Sequence, residues 1–415
     1  MLPDPDHPTS LTQTAQSLFD EGKDAELCRL LVAAAATDYA ALPLFVVEAA
    51  LTQACDAKQV NQALCIYNEL RATGRRGAMP NRLIDLLQAS GQTTLALSFV
   101  GDWRADTDLV PHYIQRANAF DRLGDVAAAQ REFDLASQRF PKAPMPVQLK
   151  ARLDLKSNDR TAALASLRLA LERSDDKPGW MRRALRALET GTIRERGLDL
   201  LVPGDVVSPN LIGHIALGQY ESQECHFIQQ DLVPEDRVLD IGAGLGLVSL
   251  VAHRACPGVV VAVVEANPQL VPLLRENLAA HGCGAQVIHG LAALQQGEAD
   301  FYLAVEFWAS SRRPGAGVAA KVRVPEHDLR KIMAETRPTI LAMDVEGAES
   351  ELLPELDLSG LRRLIVELHP EVYGPTRQYS LVSGLLAQGF SLSEMPGWSR
   401  VFAFERQPTP LTKVA

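Results

Sequence analysis

One stretch, Arg237–Asn267, most constrains what the chain can fold into. It reads RVLDIGAGLGLVSLVAHRACPGVVVAVVEAN: an apolar β-branched run, glycines at alternate positions, an apolar helical stretch and a second apolar run ending in an acid. This order predicts a strand, a glycine-rich turn, a helix and a second strand, which form one βαβ unit of a nucleotide-binding sheet. Glycines allow positive φ and carry no Cβ, so a ligand can lie against the backbone where the helix begins.

The spacing of the glycines separates two kinds of ligand. A dinucleotide fingerprint needs G-x-G-x-x-G to seat a pyrophosphate, whereas Gly242, Gly244 and Gly246 give G-x-G-x-G. Asp240 lies two residues before the first glycine, where a carboxylate would repel a pyrophosphate but suits a cationic ligand that carries an amino acid. Glu265, at the end of the second strand, can accept hydrogen bonds from both hydroxyls of a ribose. The alternative is another doubly wound fold with a glycine-rich first turn.

The glycine turn and its two acids resemble the first two motifs of class I S-adenosylmethionine-dependent methyltransferases. The end of the chain favours the same interpretation, because residues 389–406 read as two strands about a Pro-Gly turn. A terminal antiparallel hairpin on an otherwise parallel sheet is the usual ending of that fold. The resemblance therefore implies an α/β, Rossmann-like fold with a seven-stranded sheet that ends in this hairpin. Residues 301–308 and 321–324 read as two extra strands around a basic loop at Arg312-Arg313.

The resemblance narrows at the fourth and fifth predicted strands, over 339–345 and 364–368. LAMDVEGAESELL (Leu341–Leu353), followed by LIVELHP (Leu364–Pro370), is similar to the paired signature of the FkbM family of methyltransferases. Tyr220-Glu221 and the run VEANP at 264–268 fit as well. Met343 departs from the pattern, since a lysine often precedes the aspartate of D-V-E-G-A-E in that family.

The resemblance implies S-adenosylmethionine as the methyl donor and gives roles to individual residues. Asp240 would hold the turn or the ammonium group, Glu221 would reach the methionine end, and Glu265 would take the ribose hydroxyls. The glycines of the turn would lie under the amino-acid and ribose portions, and Gly290 and Leu291 would flank the adenine. The complete set of expected cofactor-binding residues is Glu221, Asp240, Gly242, Ala243, Gly244, Gly246, Glu265, Ala266, Asn267, Gly290 and Leu291.

Acids and one histidine fall near the carboxyl ends of the predicted strands, where ligands bind in open α/β sheets. A hydroxyl acceptor needs its proton removed by a positioned base; His369 or Asp344 could serve, with Glu346 orienting the acceptor. Alternatively, Asp344, Glu367 and His369 could ligate a divalent cation that lowers the pKa of the acceptor hydroxyl. For Glu346 and Glu349 the competing interpretation is a solvated first helical turn, whose dipole favours acids. His369 alone could equally be a buried hydrogen-bonding residue.

Residues 1–195 are rich in Ala, Leu, Gln and Arg with helical periodicity. Ala63, Ala96, Ala129 and Ala163 recur at intervals of 33, 33 and 34 residues. The unit at 110–141 resembles a tetratricopeptide repeat in the order and spacing of its aromatic, glycine and alanine positions. We therefore predict four or five degenerate units in an all-α solenoid over 1–195, a linker at 196–212 and a methyltransferase domain at 213–415.

Composition excludes several function classes. The net charge of −10 argues against a general nucleic-acid binder. The six cysteines are scattered without a C-x-x-C pair, which favours reduced thiols. The first residues lack the pattern of a secretory signal, and no apolar run has the length needed to cross a bilayer. We expect a cytoplasmic protein with neither a nucleic-acid nor a membrane partner.

Three functions compete. The resemblance favours O-methylation of a hydroxyl on a sugar, glycan or natural product, because the FkbM family is associated with such reactions. The second is a non-catalytic scaffold, in which the repeats bind a protein and the methyltransferase fold is degenerate. The third is methylation of a protein delivered by the repeats, or of nitrogen instead of oxygen. The repeats could bind a protein partner or serve as a structural lid or dimerisation platform.

Overall fold

A computed structural model describes residues 11–33, 42–73, 81–103, 108–304, 306, 310, 318–394 and 400–406. The chain forms two compact units, one of Met1–Asp154 with Glu172–Asp175 and the other of Leu155–Leu171 with Asp176–Ala415. These bounds differ from the division predicted from sequence, because part of the helical region belongs to the second unit. The predicted basic loop at Arg312-Arg313 and the Pro396-Gly397 turn lie outside the described residues.

The described residues before the first strand are helical, as the periodicity predicts. Eleven helices are seen there: α1 (Leu11–Asp20), α2 (Asp24–Val32), α3 (Leu44–Asp56), α4 (Val60–Ala72), α5 (Asn81–Ala89), α6 (Thr93–Asp102), α7 (Val110–Arg122), α8 (Val126–Arg139), α9 (Met145–Lys156), α10 (Arg160–Arg173) and α11 (Gly179–Thr190).

The recurring alanines occupy one position in successive helix pairs. Ala63, Ala96, Ala129 and Ala163 are each the fourth residue of a helix, in α4, α6, α8 and α10, and the first three of these helices pack against α3, α5 and α7. All four are fully buried, at 0 % exposure. The distance between packed helices depends on the side chains at the contact, so a small residue here lets the helices of a pair approach closely. From α3 to α8, the sequence period therefore matches a period of helix pairing.

The turns within the pairs share a left-handed residue, two positions after the first helix ends. Glycine fills this position at Gly91 and Gly124, with φ of 77° and 86°, whereas Lys58 fills it between α3 and α4 with φ of 57°. A side chain in this conformation costs about 1–2 kcal/mol relative to glycine. Lys58→Gly should therefore raise the free energy of unfolding by about 0.5–1 kcal/mol, after allowing for the greater entropy of unfolded glycine. Urea unfolding followed by circular dichroism measures this change. The matched control is Lys58→Ala, which keeps the strain; equal stability of the two variants would contradict the prediction.

The second unit is built on a seven-stranded mixed sheet with strand order β11-β12-β10-β9-β3-β4-β5. Strands β5, β4, β3, β9 and β10 run parallel to one another. Strand β12 pairs antiparallel with β10, and β11 pairs antiparallel with β12. This arrangement confirms the predicted sheet and its terminal hairpin. The bounds are β3 (Arg237–Ile241), β4 (Val260–Glu265), β5 (Gln286–His289), β9 (Ile340–Met343), β10 (Arg363–Glu367), β11 (Phe390–Glu394) and β12 (Val401–Arg406).

Helices and a smaller sheet complete this unit. The helices are α12 (Pro209–Ala216), α13 (Ser222–Ile228), α14 (Leu247–Ala255), α15 (Leu270–Ala280), α16 (Leu329–Thr336), α17 (Glu349–Leu352), α18 (Pro370–Tyr373) and α19 (Pro375–Ala387). The second sheet has the order β6-β8-β7, with β6 (Leu291–Ala293), β7 (Gly297–Ala304) and β8 (Val318–Asp328). Strands β7 and β8 correspond to the two extra strands predicted around the basic loop. No helix within the described ranges is both long enough and apolar enough to span a membrane.

Met343 lies in the apolar core on one face of the large sheet. It shares this core with Leu341 and Val366 and is 3 % exposed. Successive side chains of a strand point to opposite faces, so position 343 faces core residues while the next residue begins the turn after β9. The methionine at the position where the resembling family often has a lysine is therefore a packing residue in this chain.

The segment predicted to be a linker at 196–212 contains regular structure. Strands β1 (Thr192–Glu195) and β2 (Leu198–Leu201) form an antiparallel hairpin, and α12 begins within the same segment. Arg196 and Gly197 make its two-residue turn with φ of 48° and 78°, the positive values that match the twist of a hairpin. The hairpin was not predicted because arginine replaces the Asn, Asp or Gly that usually marks the first turn position.

Candidate cofactor and acceptor site

A cavity of about 470 Å³ lies at the carboxyl ends of the parallel strands. Its walls include Ile241, Glu265 and Glu367, which end β3, β4 and β10, and Asp344, which follows β9. Ligands of open α/β sheets bind at this edge. The cavity therefore lies at the edge of the sheet where the sequence predicts the cofactor-binding and catalytic residues.

The glycine-rich turn forms one wall of the cavity. Gly242, Gly244 and Gly246 have φ of 84°, 52° and 83°, in the left-handed region that side chains rarely adopt. A Cβ on Gly242 would overlap the backbone carbonyl oxygen of Asp344. The turn therefore needs glycine both for its conformation and for the close approach of a neighbouring strand end.

Glu265 connects the end of β4 to the glycine turn. Its Oε2 accepts a hydrogen bond from the Gly244 N–H at 2.8 Å, and its Oε1 accepts one from the Asn267 N–H at 2.7 Å. Burial raises the pKa of Glu265 to about 7, against the opposing effect of these two hydrogen bonds. Each oxygen retains a second lone pair, so the fixed carboxylate can still accept hydrogen bonds from a ligand in the cavity.

Asp240 lies behind the cavity wall. It is 4 % exposed, and its Oδ2 accepts a hydrogen bond from the Ser249 hydroxyl at 2.6 Å, which ties β3 to α14. Burial raises the pKa of Asp240 to about 6. Of the two roles expected for this acid, its geometry matches support of the turn and not contact with an ammonium group.

The eleven residues expected to bind the cofactor fall into two groups, those that line the cavity and those that do not. Seven of the eleven line the cavity: Glu221, Gly242, Gly244, Glu265, Ala266, Gly290 and Leu291. The other four, Asp240, Ala243, Gly246 and Asn267, are not part of its lining.

Glu221 brings a buried carboxylate to the cavity. Its backbone is left-handed, with φ of 45°, directly before α13. Its Oε2 is inaccessible and has no hydrogen-bond partner among the residues that the structure describes. Burial raises the pKa of Glu221 well above its ordinary value. Buried polar atoms are normally satisfied, so this oxygen marks a position for a ligand that donates hydrogen bonds.

Four carboxylates surround His369, which is 2 % exposed. Its Nδ1 lies 3.2 Å from Oε1 of Glu349, and its backbone N–H donates to the same oxygen at 2.9 Å. Its Nε2 lies 3.6 Å from Glu346, 3.7 Å from Glu367 and 3.8 Å from Asp344. We call these five residues the His369 cluster. All except Glu349 line the cavity, so the predicted catalytic and metal-binding residues come together.

The charges of the His369 cluster depend on one another. Burial would lower the pKa of His369, but the Glu349 hydrogen bond and the charges of Asp344 and Glu346 outweigh burial and raise it to about 9. Burial and the charge of Glu367 raise the pKa of Asp344 well above its ordinary value. Burial also raises the pKa of Glu346 to about 7. The histidine therefore holds a proton at neutral pH, and the Asp344 and Glu346 carboxylates are stronger bases than free ones.

Glu349 is fully buried, at 0 % exposure, so the interpretation of a solvated helical turn is wrong for this residue. Its Oε2 accepts a hydrogen bond from the Gly347 N–H at 2.8 Å. Burial acts to raise the pKa of Glu349, but the hydrogen bond and charge of His369 lower it overall. Gly347, with φ of 101°, makes the turn that directs Glu349 inward, and a Cβ there would come within 2.6 Å of Val372.

Two further charged residues line the cavity and were not predicted from sequence. Burial raises the pKa of Glu224 to about 7. Its position three residues after Glu221 is the one sequence signal that could have suggested it. Arg400, which pairs with Glu371, precedes β12 and carries no sequence signal.

Solved structures of methyltransferases are similar to part of this chain. One is the precorrin-6y C5,15-methyltransferase from Geobacter metallireducens, at 14 % identity and a TM-score of 0.29, covering 45 % of this chain and 88 % of that one. Another is the O-methyltransferase from Bacillus cereus in complex with SAH, at 15 % identity and a TM-score of 0.29, covering 44 % and 81 %.

No curated protein matches the chain by sequence. A family model does match the part of the chain that holds the glycine turn, Glu265 and all five residues of the His369 cluster. Residues 240–392 match the model described as "Methyltransferase FkbM domain".

Proposed function

We propose that this protein is an S-adenosylmethionine-dependent methyltransferase that acts on a hydroxyl group. The observation that carries the proposal is the Glu265 carboxylate, fixed by the Gly244 and Asn267 N–H groups beside the glycine turn. A carboxylate held at the end of the second strand is placed to accept the two hydroxyls of a ribose. The match of residues 240–392 to a methyltransferase family model supports the same function.

The residues present fit this cofactor. The unsatisfied Oε2 of Glu221 would accept a hydrogen bond from the cofactor ammonium. The glycine turn leaves the backbone open to the ligand, and Gly290 and Leu291 would flank the adenine. The lining carries the acids Glu221, Glu224 and Glu265, which favour a cation over a pyrophosphate.

When bound, S-adenosylmethionine supplies a methyl group on a positively charged sulfur, and the acceptor oxygen takes that methyl group. The His369 cluster would remove the proton of the acceptor hydroxyl. Because the pKa of His369 is about 9, its ring is protonated at neutral pH, and we assign proton acceptance to Asp344 and Glu346. His369 would hold these two side chains in place through its charge. Holding donor and acceptor close and aligned can supply much of the rate.

For the acceptor, we propose a hydroxyl of a sugar, glycan or natural product. The test is a binding measurement followed by a labelling experiment. Calorimetry on protein freed of carried-over ligand should show S-adenosylmethionine binding. Methyl-labelled donor, incubated with the protein and a fractionated lysate, should place label in the glycan or small-molecule fraction. Uptake of NAD in place of S-adenosylmethionine would overturn the proposal, and label in the protein fraction would replace the acceptor with a protein.

We also propose that the helix pairs are tetratricopeptide-like repeats that present a surface to a protein partner or a second subunit. The first helices α3, α7 and α9 each carry a large exposed apolar residue at or beside their start: Phe45, Leu109 and Met145, at 52 %, 50 % and 54 % exposure. Sedimentation velocity of the full chain tests self-association. If the wild-type protein forms a concentration-dependent dimer and the Phe45→Ser, Met145→Ser double variant does not, the surface is a subunit interface. If the wild-type protein is a monomer at all concentrations, the partner is a different protein.

Glu265→Gln should raise the Kd for S-adenosylmethionine by about 10- to 100-fold, the loss expected when hydrogen bonds to a charged group are removed. An amide can accept from only one of the two backbone N–H groups that the carboxylate now satisfies. Calorimetry measures the Kd, and Glu276→Gln, an exposed acid on α15, is the control. Equal affinity in the two variants would show that Glu265 does not contact the cofactor.

A further inference from the structure

We infer that the His369 cluster binds a divalent metal cation through Nε2 of His369 and one carboxylate oxygen each from Asp344 and Glu367. One ligand atom of each residue lies within 4.8 Å of the other two. The binding itself is independent of the proposed function. The chemical role given to the cation below rests on it.

The distances suit a six-coordinate cation. Ligand atoms about 2.1–2.2 Å from such an ion lie about 3 Å apart when adjacent and about 4.3 Å apart when opposite. Nε2 of His369 is 3.8 Å from Asp344 and 3.7 Å from Glu367, between these two values. Side-chain movements of less than about 1 Å would close the shell, and three positions would remain for water or the acceptor.

The histidine is held in the manner of a metal ligand. Nδ1 faces the fully buried Glu349 at 3.2 Å, which leaves Nε2 directed at the two carboxylates. Nε2 lies 3.6–3.8 Å from the oxygens of Asp344, Glu346 and Glu367. Among the described residues, Oδ1 of Asp344 has no hydrogen-bond partner. A histidine that binds metal usually donates its other N–H to a carboxylate or carbonyl, which fixes the ring and its tautomer. Glu349 fills this role, so the site contains an oriented histidine ligand in addition to its carboxylates.

The donor set favours Mg²⁺ or Mn²⁺. Carboxylates and water are the ligands that suit these ions, and an imidazole shifts the preference towards Mn²⁺, which binds nitrogen more tightly. A bound cation would take the place of the proton that the carboxylates otherwise stabilise on the imidazole. It would also offset the repulsion between Asp344 and Glu367.

The cation would act on the acceptor hydroxyl. Coordination of the hydroxyl oxygen lowers its pKa, as it does for metal-bound water. With the cation held by Asp344, the O–H bond would break and its proton would pass to Glu346 alone, the cluster carboxylate beside Nε2 that is not a ligand. The freed electron pair on oxygen forms the new C–O bond, while the S–C bond breaks and its electron pair stays on the sulfur.

The test is a titration of Mn²⁺ into the full chain, without S-adenosylmethionine. Electron paramagnetic resonance monitors it, because the signal of the free ion is lost when the ion binds. Wild-type protein should bind one ion per chain. Glu367→Gln should weaken binding about 10-fold or more, and Glu349→Gln about 10- to 100-fold through the orientation of His369. The control is Glu351→Gln, an exposed acid on the same helix as Glu349, which should bind as wild type does. Melting curves establish that each variant is folded. If Glu349→Gln does not fold, Glu367→Gln still tests the site, because the Glu367 side chain is partly exposed, at 24 %.

Absence of Mn²⁺ binding by wild-type protein at millimolar concentration would overturn the inference, as would unchanged binding in folded Glu367→Gln and His369→Gln. Calorimetry of S-adenosylmethionine on the same preparation, in EDTA, separates this inference from the proposed function. Cofactor binding without Mn²⁺ binding removes the metal site and keeps the methyltransferase. Mn²⁺ binding without cofactor binding removes the methyltransferase and keeps the metal site.

Discussion

Asp344→Asn should lower the rate of methyl transfer by about 100-fold or more, the range expected when a positioned proton acceptor is removed. Asp344 stands directly after β9, within 3.8 Å of Nε2 of His369, and its Oδ1 has no hydrogen-bond partner among the described residues. An amide of the same shape cannot accept the hydroxyl proton and is a poorer metal ligand. The rate is measured with labelled donor and the acceptor fraction found by labelling.

The affinity for S-adenosylmethionine is the second readout for this variant. The Asp344 backbone, which supports the glycine turn, is unchanged in Asp344→Asn, so the Kd should stay within about threefold, less than one hydrogen bond is worth. Glu351→Gln is the matched control and should keep both rate and affinity. A folded Asp344→Asn protein with an unchanged rate would remove Asp344 from the catalytic role.

Gly242→Ala should destabilise the second unit by about 3 kcal/mol or more, at the upper end of what overpacking and a strained backbone cost. The added Cβ would overlap the backbone carbonyl oxygen of Asp344, at a residue whose φ is 84°. Backbone cannot move aside as a flexible side chain does, so the ends of β3 and β9 would have to separate. Urea unfolding followed by circular dichroism measures the loss.

Gly282→Ala separates the two causes of this loss. Gly282 has a similar φ of 67°, but a Cβ there meets no atom within 4 Å. It should therefore cost only about 1 kcal/mol, the price of a left-handed alanine. Equal losses of unfolding free energy in Gly242→Ala and Gly282→Ala would show that the contact with Asp344 does not contribute to the effect.

The βαβ unit could be predicted because local residues determine it. The β-branched runs of β3 and β4, the glycines between them and the acid at Glu265 all lie within one short stretch. Strand ends were less well placed: the fourth strand was predicted over 339–345 but ends at Met343. Asp344 and Glu346 consequently lie in a turn, where the left-handed Glu346, with φ of 51°, places its carboxylate beside His369.

Contacts that depend on pairing between distant segments could not be predicted. Glu349 and His369 are 20 residues apart and meet only because β9 pairs with β10 in parallel. The direction of the Asp240 side chain towards Ser249 is likewise set by how α14 packs on β3. Residue types indicated that these acids belonged near the site, but not which of them would support it and which would face the ligand.

The contact of Asp344 with the glycine turn also bears on how the acceptor could change. Its N–H donates to Ile241 at 2.9 Å and its carbonyl covers Gly242, while its side chain belongs to the His369 cluster. Asp344 thus sets the spacing between the glycine turn and the His369 cluster. Redesign towards another acceptor should keep Asp344 and vary the outer walls of the cavity, at Phe301, Ser310 and His214.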